Sequence, residues 1–181
     1  MTENHETLPA GEPETSVEAA VGATGAWDDL QVGFSDNQTT KMDERGRLKL
    51  PAEFRAFIEK KYGKGFNAFY ITSQDEETAE IYPMPEWVPQ YAKILKLPRT
   101  LPARKKLLKL CSLYGARVDM DPQGRLTLPD ELRKKRVLVG EVMLSGEGNL
   151  IRVSSLEGLR ESVKQNPFTD EDAESLVPYD L

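Results

Sequence analysis

Two short stretches of the chain alternate polar and apolar residues in the same order, Arg47–Leu50 and Arg125–Leu128. A period of two is that of a strand with one face buried. In this register Leu48, Leu50, Leu126 and Leu128 face a core, while Arg47, Lys49, Arg125 and Thr127 face outward. A turn sequence precedes each stretch, Asp43–Gly46 and Asp121–Gly124. Asp accepts hydrogen bonds from amides two or three residues on, and Gly46 and Gly124 supply a positive φ without steric penalty. Pro122 suits the second position of a type I turn. Pro51 and Pro129 then sit at the first position of a helix, where the missing N–H is not needed. Glu53 and Asp130-Glu131 place negative charge in the first helical turn, where the helix dipole favours it. The reading at both places is strand, tight turn, strand, short helix.

Longer apolar periods place the remaining elements. The first unit continues in a helix over about Ala52–Lys61, stopped by Gly63, then two short strands, Ala68–Thr72 and Ala79–Tyr82, around the polar loop Ser73–Thr78. Pro85–Leu97 reads as a helix with Trp87, Tyr91, Ile94 and Leu95 on its apolar side. Thr100 is a candidate cap for a second helix, about Leu101–Tyr114, closed by Gly115. That helix sets Leu107, Leu108, Cys111 and Tyr114 against Arg104, Lys105, Lys106 and Lys109, a pattern that fits an ordinary solvated face and, as the alternative, a phosphate-facing basic side. The second unit runs from Ala116 through a helix at Pro129–Arg136, and a strand pair, Glu141–Leu144 and Leu150–Val153, surrounds a turn at Ser145–Asn149. From about Asn166 the tail carries Pro167, Asp170–Asp172 and Pro178, and disorder is expected.

The two units are copies. Met42–Arg55 and Met120–Arg133 lie seventy-eight positions apart, and nine of their fourteen positions are identical. Repetition at a fixed offset is the mark of one supersecondary unit used twice. At roughly 50 residues a half cannot bury enough apolar surface to offset its chain entropy. The expectation is therefore one shared core with pseudo-two-fold symmetry.

Composition narrows the function. The net charge of −6 divides unevenly. Residues 1–35 hold seven acidic groups and no Lys or Arg, and residues 161–181 hold six acidic groups and one Lys. Residues 36–160 are therefore basic, with a net charge of +6. A basic middle between acidic tails suits a domain that binds a polyanion. The one Cys, Cys111, lies among leucines and reads as a packed thiol; it excludes a disulfide framework and suits a reducing cytosol. The one His, His5, lies in the polar N-terminal segment, so a His-based metal site or catalytic arrangement is not expected. No apolar run approaches a membrane span, and no secretory signal is evident. No nucleophile–base pair or phosphate-cradling Gly loop points to an enzyme, and Asp43 and Asp121 are accounted for as turn residues. No cofactor and no small-molecule substrate are expected.

The pattern D-x-x-G-R-x-x-x-P-x-x-[FL]-R, present twice, resembles the AbrB-like swapped-hairpin DNA-binding domains. Two copies joined by Ile81-Tyr82-Pro83, Trp87 and a basic helix leading to Gly115-Ala116 resemble the MraZ family of bacterial transcriptional regulators over about Phe34 to Arg160. The resemblance implies an α+β fold, two strand–turn–strand–helix units forming a double swapped-hairpin barrel with connecting helices. It divides the chain into a disordered acidic extension (1–33), repeat 1 (34–84), a helical connector (85–114), repeat 2 (115–160) and an acidic, mostly disordered tail (161–181). It implies homo-oligomeric rings in the cytoplasm, associated with the nucleoid. These would bind double-stranded DNA at short direct repeats upstream of the cell-division and cell-wall operon. By the motif match Arg47 and Arg125 are the leading DNA contacts, Arg55 and Arg133 the next, with Arg45 and Lys49 beside them. Asp43, Gly46, Pro51, Asp121, Gly124 and Pro129 are the structural positions. Three features depart from the family pattern: Arg45 stands where Lys is common, Leu150–Ser154 lacks a usual Trp, and the acidic extension lies outside the family core. An AbrB-like protein-interaction module or antitoxin-like scaffold is the rival reading.

Overall fold

The alternating stretches form strands, and each unit supplies four. The computed structural model describes residues 33–135 and 137–179, so the acidic extension through residue 32, with His5 and Trp27, lies outside the described residues. In the first unit β1 (Asn37–Met42), β2 (Arg47–Lys49) and helix α1 (Ala52–Tyr62) precede the hairpin β3 (Ala68–Thr72) and β4 (Ala79–Pro83). Helices α2 (Met84–Lys96) and α3 (Pro102–Tyr114) lead to the second unit. There β5 (Ala116–Asp119), β6 (Arg125–Thr127), α4 (Asp130–Lys135), β7 (Gly140–Glu147) and β8 (Leu150–Ser155) repeat the order. Two further helices follow, α5 (Leu156–Gln165) and α6 (Asp170–Leu176).

The strands join in one antiparallel sheet of order β5-β3-β4-β8-β7-β1-β2-β6. Its two edges, β5 and β6, are consecutive in the chain and joined by the Asp121–Gly124 turn, so the sheet curls into a nearly closed barrel. The units are interleaved: β1 pairs with β7 and β5 with β3, each first strand lying against the third strand of the other copy. In the β2–β6 pairing Leu48 is the partner of Leu126, the same position of the two copies. The pseudo-two-fold axis passes between them. Following the registers around the barrel to β4–β8 brings a second equivalent pair together, Glu80 and Arg152. An axis that crosses the wall at these two points relates the whole fold.

Packing follows the alternation. Leu48, Leu50, Leu126 and Leu128 are all buried, and α1 adds Phe54 and Ile58, one turn apart, to the same core. Phe34 closes one side, its ring 4.8 Å from Phe57 and 5.9 Å from Phe54. Fully burying one such side chain contributes about 1.5–3 kcal/mol. Glu80 is buried in the wall at the second axis point. Its carboxylate accepts from Gln74 Nε2 at 3.1 Å to both oxygens, from Tyr82 Oη at 3.2 Å and from Arg152 Nη1 at 3.2 Å. Arg152 is held in turn by Glu147, through Nε at 2.6 Å and Nη2 at 2.9 Å.

Three details differ from the sequence reading. Thr100 does not cap α3; Leu101 occupies the cap position without a side-chain bond. The β7–β8 strands run to Glu147 and Leu150, so the turn is the pair Gly148-Asn149. Only Gly148 of that pair has a positive φ, 65°, as in a type II′ turn, whose twist lets the strands extend further. The tail, expected to be disordered, forms α6 across Asp170–Leu176. Thr169 closes a capping box there with Asp172, which satisfies amides a disordered tail would leave to water.

Arg152→Ala strands the buried Glu80 carboxylate and is expected to destabilise the fold by about 3 kcal/mol in urea denaturation. Glu147→Ala, which removes only the half-exposed partner, is expected to cost less than about 1 kcal/mol. Equal losses would show that the buried carboxylate does not depend on Arg152.

Candidate nucleic-acid interface

Each turn is tied by one aspartate. Asp43 Oδ1 accepts from the amides of Arg45 and Arg47, both at 2.9 Å, and Oδ2 accepts from Arg47 Nε at 2.7 Å. Asp121 does the same with Gln123 and Arg125 amides at 2.9 Å and Arg125 Nε at 2.7 Å. The acceptor therefore reaches residues two and four further on. Gly46 and Gly124 close the turns with φ of 70° and 76°, their amides donating to the Asp43 and Asp121 carbonyls. The geometry is common to both copies although Glu44-Arg45 stands in one and Pro122-Gln123 in the other. The amide of the following Arg, together with its guanidinium, holds each aspartate below the ordinary carboxylate range.

The two hairpins then lock to each other. Leu50 donates its amide to the Gly124 carbonyl at 2.9 Å, and Leu128 donates to the Gly46 carbonyl at 2.8 Å. Beneath each glycine lies an arginine from the helix of the other copy. A methyl at Gly46 would overlap the Arg133 side chain, and one at Gly124 would meet Arg55 Cδ at 2.9 Å. Arg133 Nη1 also donates to the Arg45 carbonyl at 3.3 Å. The Nε atoms of Arg55 and Arg133 are buried without a hydrogen-bond partner.

Four expected side chains come together on one face. Because Arg47 pairs with Thr127 and Lys49 with Arg125, all four point outward from a two-stranded ribbon whose inner face is Leu48 and Leu126. The two turns stand at opposite ends of that ribbon, separated by three residue pairs, about 10 Å. Arg45 and Lys49 are exposed, and Arg47 and Arg125 are half-buried against their aspartates. Arg55 and Arg133 are placed differently: their side chains brace the opposing turn instead of leading the outward face. Pro51 stands at the cap of α1, one residue ahead of the expected position, and its carbonyl accepts from Arg55 N at 3.2 Å. Pro129 plays the same part for Arg133, whose amide reaches it at 3.1 Å. Among the described residues no cluster of three or more His, Cys, Asp and Glu could hold a metal ion, and no helix is long and apolar enough to cross a membrane.

The architecture has relatives. The family model described as "MraZ protein, putative antitoxin-like" matches residues 34–110. A protein of Acidobacterium capsulatum named "Transcriptional regulator MraZ" is 40% identical over 148 residues, which is 82% of this chain and 99% of the relative. The chain belongs to the MraZ family. A Koribacter versatilis protein of the same name is 41% identical over 143 residues, covering 79% of this chain and 96% of that one. The MraZ protein of Herpetosiphon aurantiacus is 31% identical over 130 residues, covering 72% and 85%. Alignments of 148 and 143 residues necessarily span both copies of the repeated stretch.

Sequence reasoning missed the cross-bracing. The signal was present: Gly46 with Arg133 and Gly124 with Arg55 sit at matching positions of the motif, and a swapped pairing brings each to the other. Asp43→Ala or Asp121→Ala is expected to speed hydrogen exchange of the Arg47 or Arg125 amide about tenfold or more while leaving the barrel folded. Unchanged exchange would show that the carboxylate does not hold the turn. The folded-state pKa of these aspartates lies below the ordinary value of 3.8, so their stabilisation is present above about pH 4. It is lost as pH falls through the depressed value. Turn amides should therefore exchange faster only in acid, once the intrinsic rate is corrected for.

Proposed function

We propose that this protein is a sequence-specific DNA-binding transcriptional regulator and that the outer face of the β2–β6 ribbon is its DNA contact. The observation that carries the reading is the gathering of Arg47, Lys49 and Arg125 on one face of a two-stranded ribbon flanked by two locked turns. A two-stranded ribbon fits the major groove. Arginine reaches phosphates or the O6 and N7 edge of guanine with paired N–H groups. Asp43 occupies Nε and one N–H of Nη2 of Arg47, which leaves the Nη1 side for such a contact. The aspartates thus serve as positioning residues that fix each guanidinium before DNA arrives. Arg55 and Arg133 hold the turns from below, and exposed Arg45 and Lys49 add phosphate contacts at the rim.

The chain's relatives are named transcriptional regulators, and the ribbon's charge supports the same role here. We further read the operator as short direct repeats upstream of the cell-division and cell-wall operon, bound by a ring of subunits in the cytoplasm at the nucleoid. A ring presents many ribbons and raises avidity where the repeat spacing matches the roughly 10 bp turn of DNA. The repeats then correspond to residues 34–84 and 115–160, with 85–114 as connector.

Arg47→Ala and Arg125→Ala are each expected to weaken specific binding by about 1–3 kcal/mol in a mobility-shift titration, with thermal unfolding little changed. Unaltered affinity in the double variant would remove the ribbon from the contact. Affinity should also fall steeply with salt, because each neutralised phosphate contributes nearly one to the slope of log K against log salt. A flat titration would exclude an electrostatic interface.

A further inference from the structure

A cleft of about 270 Å³ opens between α2, α3 and the β3–β4 hairpin, away from the β2–β6 ribbon. One wall is a fixed aromatic surface. Trp87 stacks on Tyr70 at 4.1 Å with the rings 8° from parallel, and Tyr82 and Tyr91 pack around it at 5.3 and 5.7 Å. Leu107 and Leu110 of α3 form the facing wall. Such a surface is ready for an apolar body without rearrangement.

The polar groups of the cleft fall into two kinds. Glu80 is already engaged, since its two oxygens accept from Gln74, Tyr82 and Arg152. The Thr72 hydroxyl is buried and makes no hydrogen bond to protein oxygen or nitrogen; the Cys111 thiol is its neighbour. Lys93 stands at the rim, exposed, with no ion-pair partner among the described residues. A ligand group that hydrogen-bonds the Thr72 hydroxyl satisfies a buried polar atom that otherwise has only the Cys111 thiol beside it.

We propose that this cleft binds a compact organic anion: a planar or branched apolar body lying on Trp87, an acceptor or donor meeting Thr72, and an acidic group paired with Lys93. The charge complementarity is what selects the class. The wall carboxylate is turned to Gln74, Tyr82 and Arg152, so Lys93, which has no ion-pair partner among the described residues, sets the sign of the ligand at the mouth. Helices α5 and α6 follow β8 as α2 and α3 follow β4, but Leu159 stands at the position of Trp87, so the aromatic wall belongs to the first unit although the barrel is doubled.

The test uses the full-length protein and the fluorescent anion 8-anilinonaphthalene-1-sulfonate as probe, read by emission and by calorimetry. The expected result is saturable binding of one probe per chain. Leu107→Trp, which fills the cleft, should abolish it, and Lys93→Glu, at an exposed position, should raise Kd about tenfold. Lys105→Glu on the solvated side of α3 should leave it unchanged, and circular dichroism should show all three variants folded. Absence of saturable binding would overturn the proposal. So would binding that survives Leu107→Trp, or equal loss in Lys93→Glu and Lys105→Glu, which marks general adhesion to a basic surface. Binding that disappears as the protein associates at higher concentration would mean that a second copy fills the cleft, and would overturn it too. None of these readouts involves DNA, so the outcome is independent of the function assigned to the ribbon.

Discussion

The backbone pairing of β2 with β6 is the constraint on which the rest of the molecule depends. Neither copy can complete its own sheet, because each first strand finds its long partner in the other copy. The short β2–β6 ribbon closes the arrangement and is only three pairs long. Leu48 and Leu126 on its inner face bury it, and the Leu50–Gly124 and Leu128–Gly46 hydrogen bonds extend it into the two turns. Those bonds make the carbonyl of each turn glycine part of the opposite copy's strand. The outward face therefore inherits its rigidity from the core beneath it.

Duplication within one chain allows what a symmetric dimer cannot have. At the first axis point the paired residues are the same, two leucines. At the second they are opposite charges, Glu80 and Arg152. In a homodimer the equivalent pair would be two glutamates or two arginines, and burying either would be costly. The chain has used the freedom to fix the β4–β8 pairing with a buried carboxylate bonded to Arg152. The same freedom shows in the helices that follow each unit: Trp87 of α2 is matched by Leu159 of α5, so the aromatic wall stands on the side of the first unit.

Much of the fold was legible from local chemistry. The two alternating stretches, the glycine turns, the prolines ahead of the helices and the seventy-eight-residue offset gave the unit and its pairing with a second copy. The outward placement of Arg47, Lys49 and Arg125 followed from the period alone. What stayed hidden depended on contacts between distant residues. Arg55 and Arg133 carry the same charge as Arg47 and Arg125, and nothing local distinguishes a brace from a contact; the swapped pairing decides it by setting a glycine of the other copy over each. The Glu80–Arg152 bond depends on registers that no single segment specifies. For the tail, Pro167, Pro178 and the acidic run argued for disorder, while the Thr169–Asp172 capping box holds a helix between the two prolines.

The two pre-fixed arginines on one ribbon are proposed to meet nucleic acid together. The most direct measurement is a structure of the full-length protein bound to a DNA duplex containing its selected site. Both Arg47 and Arg125 are expected within about 3 Å of a base edge or phosphate oxygen, with Asp43 and Asp121 still holding Nε. A complex in which DNA lies along α3, with the β2–β6 ribbon covered by neighbouring subunits, would contradict it.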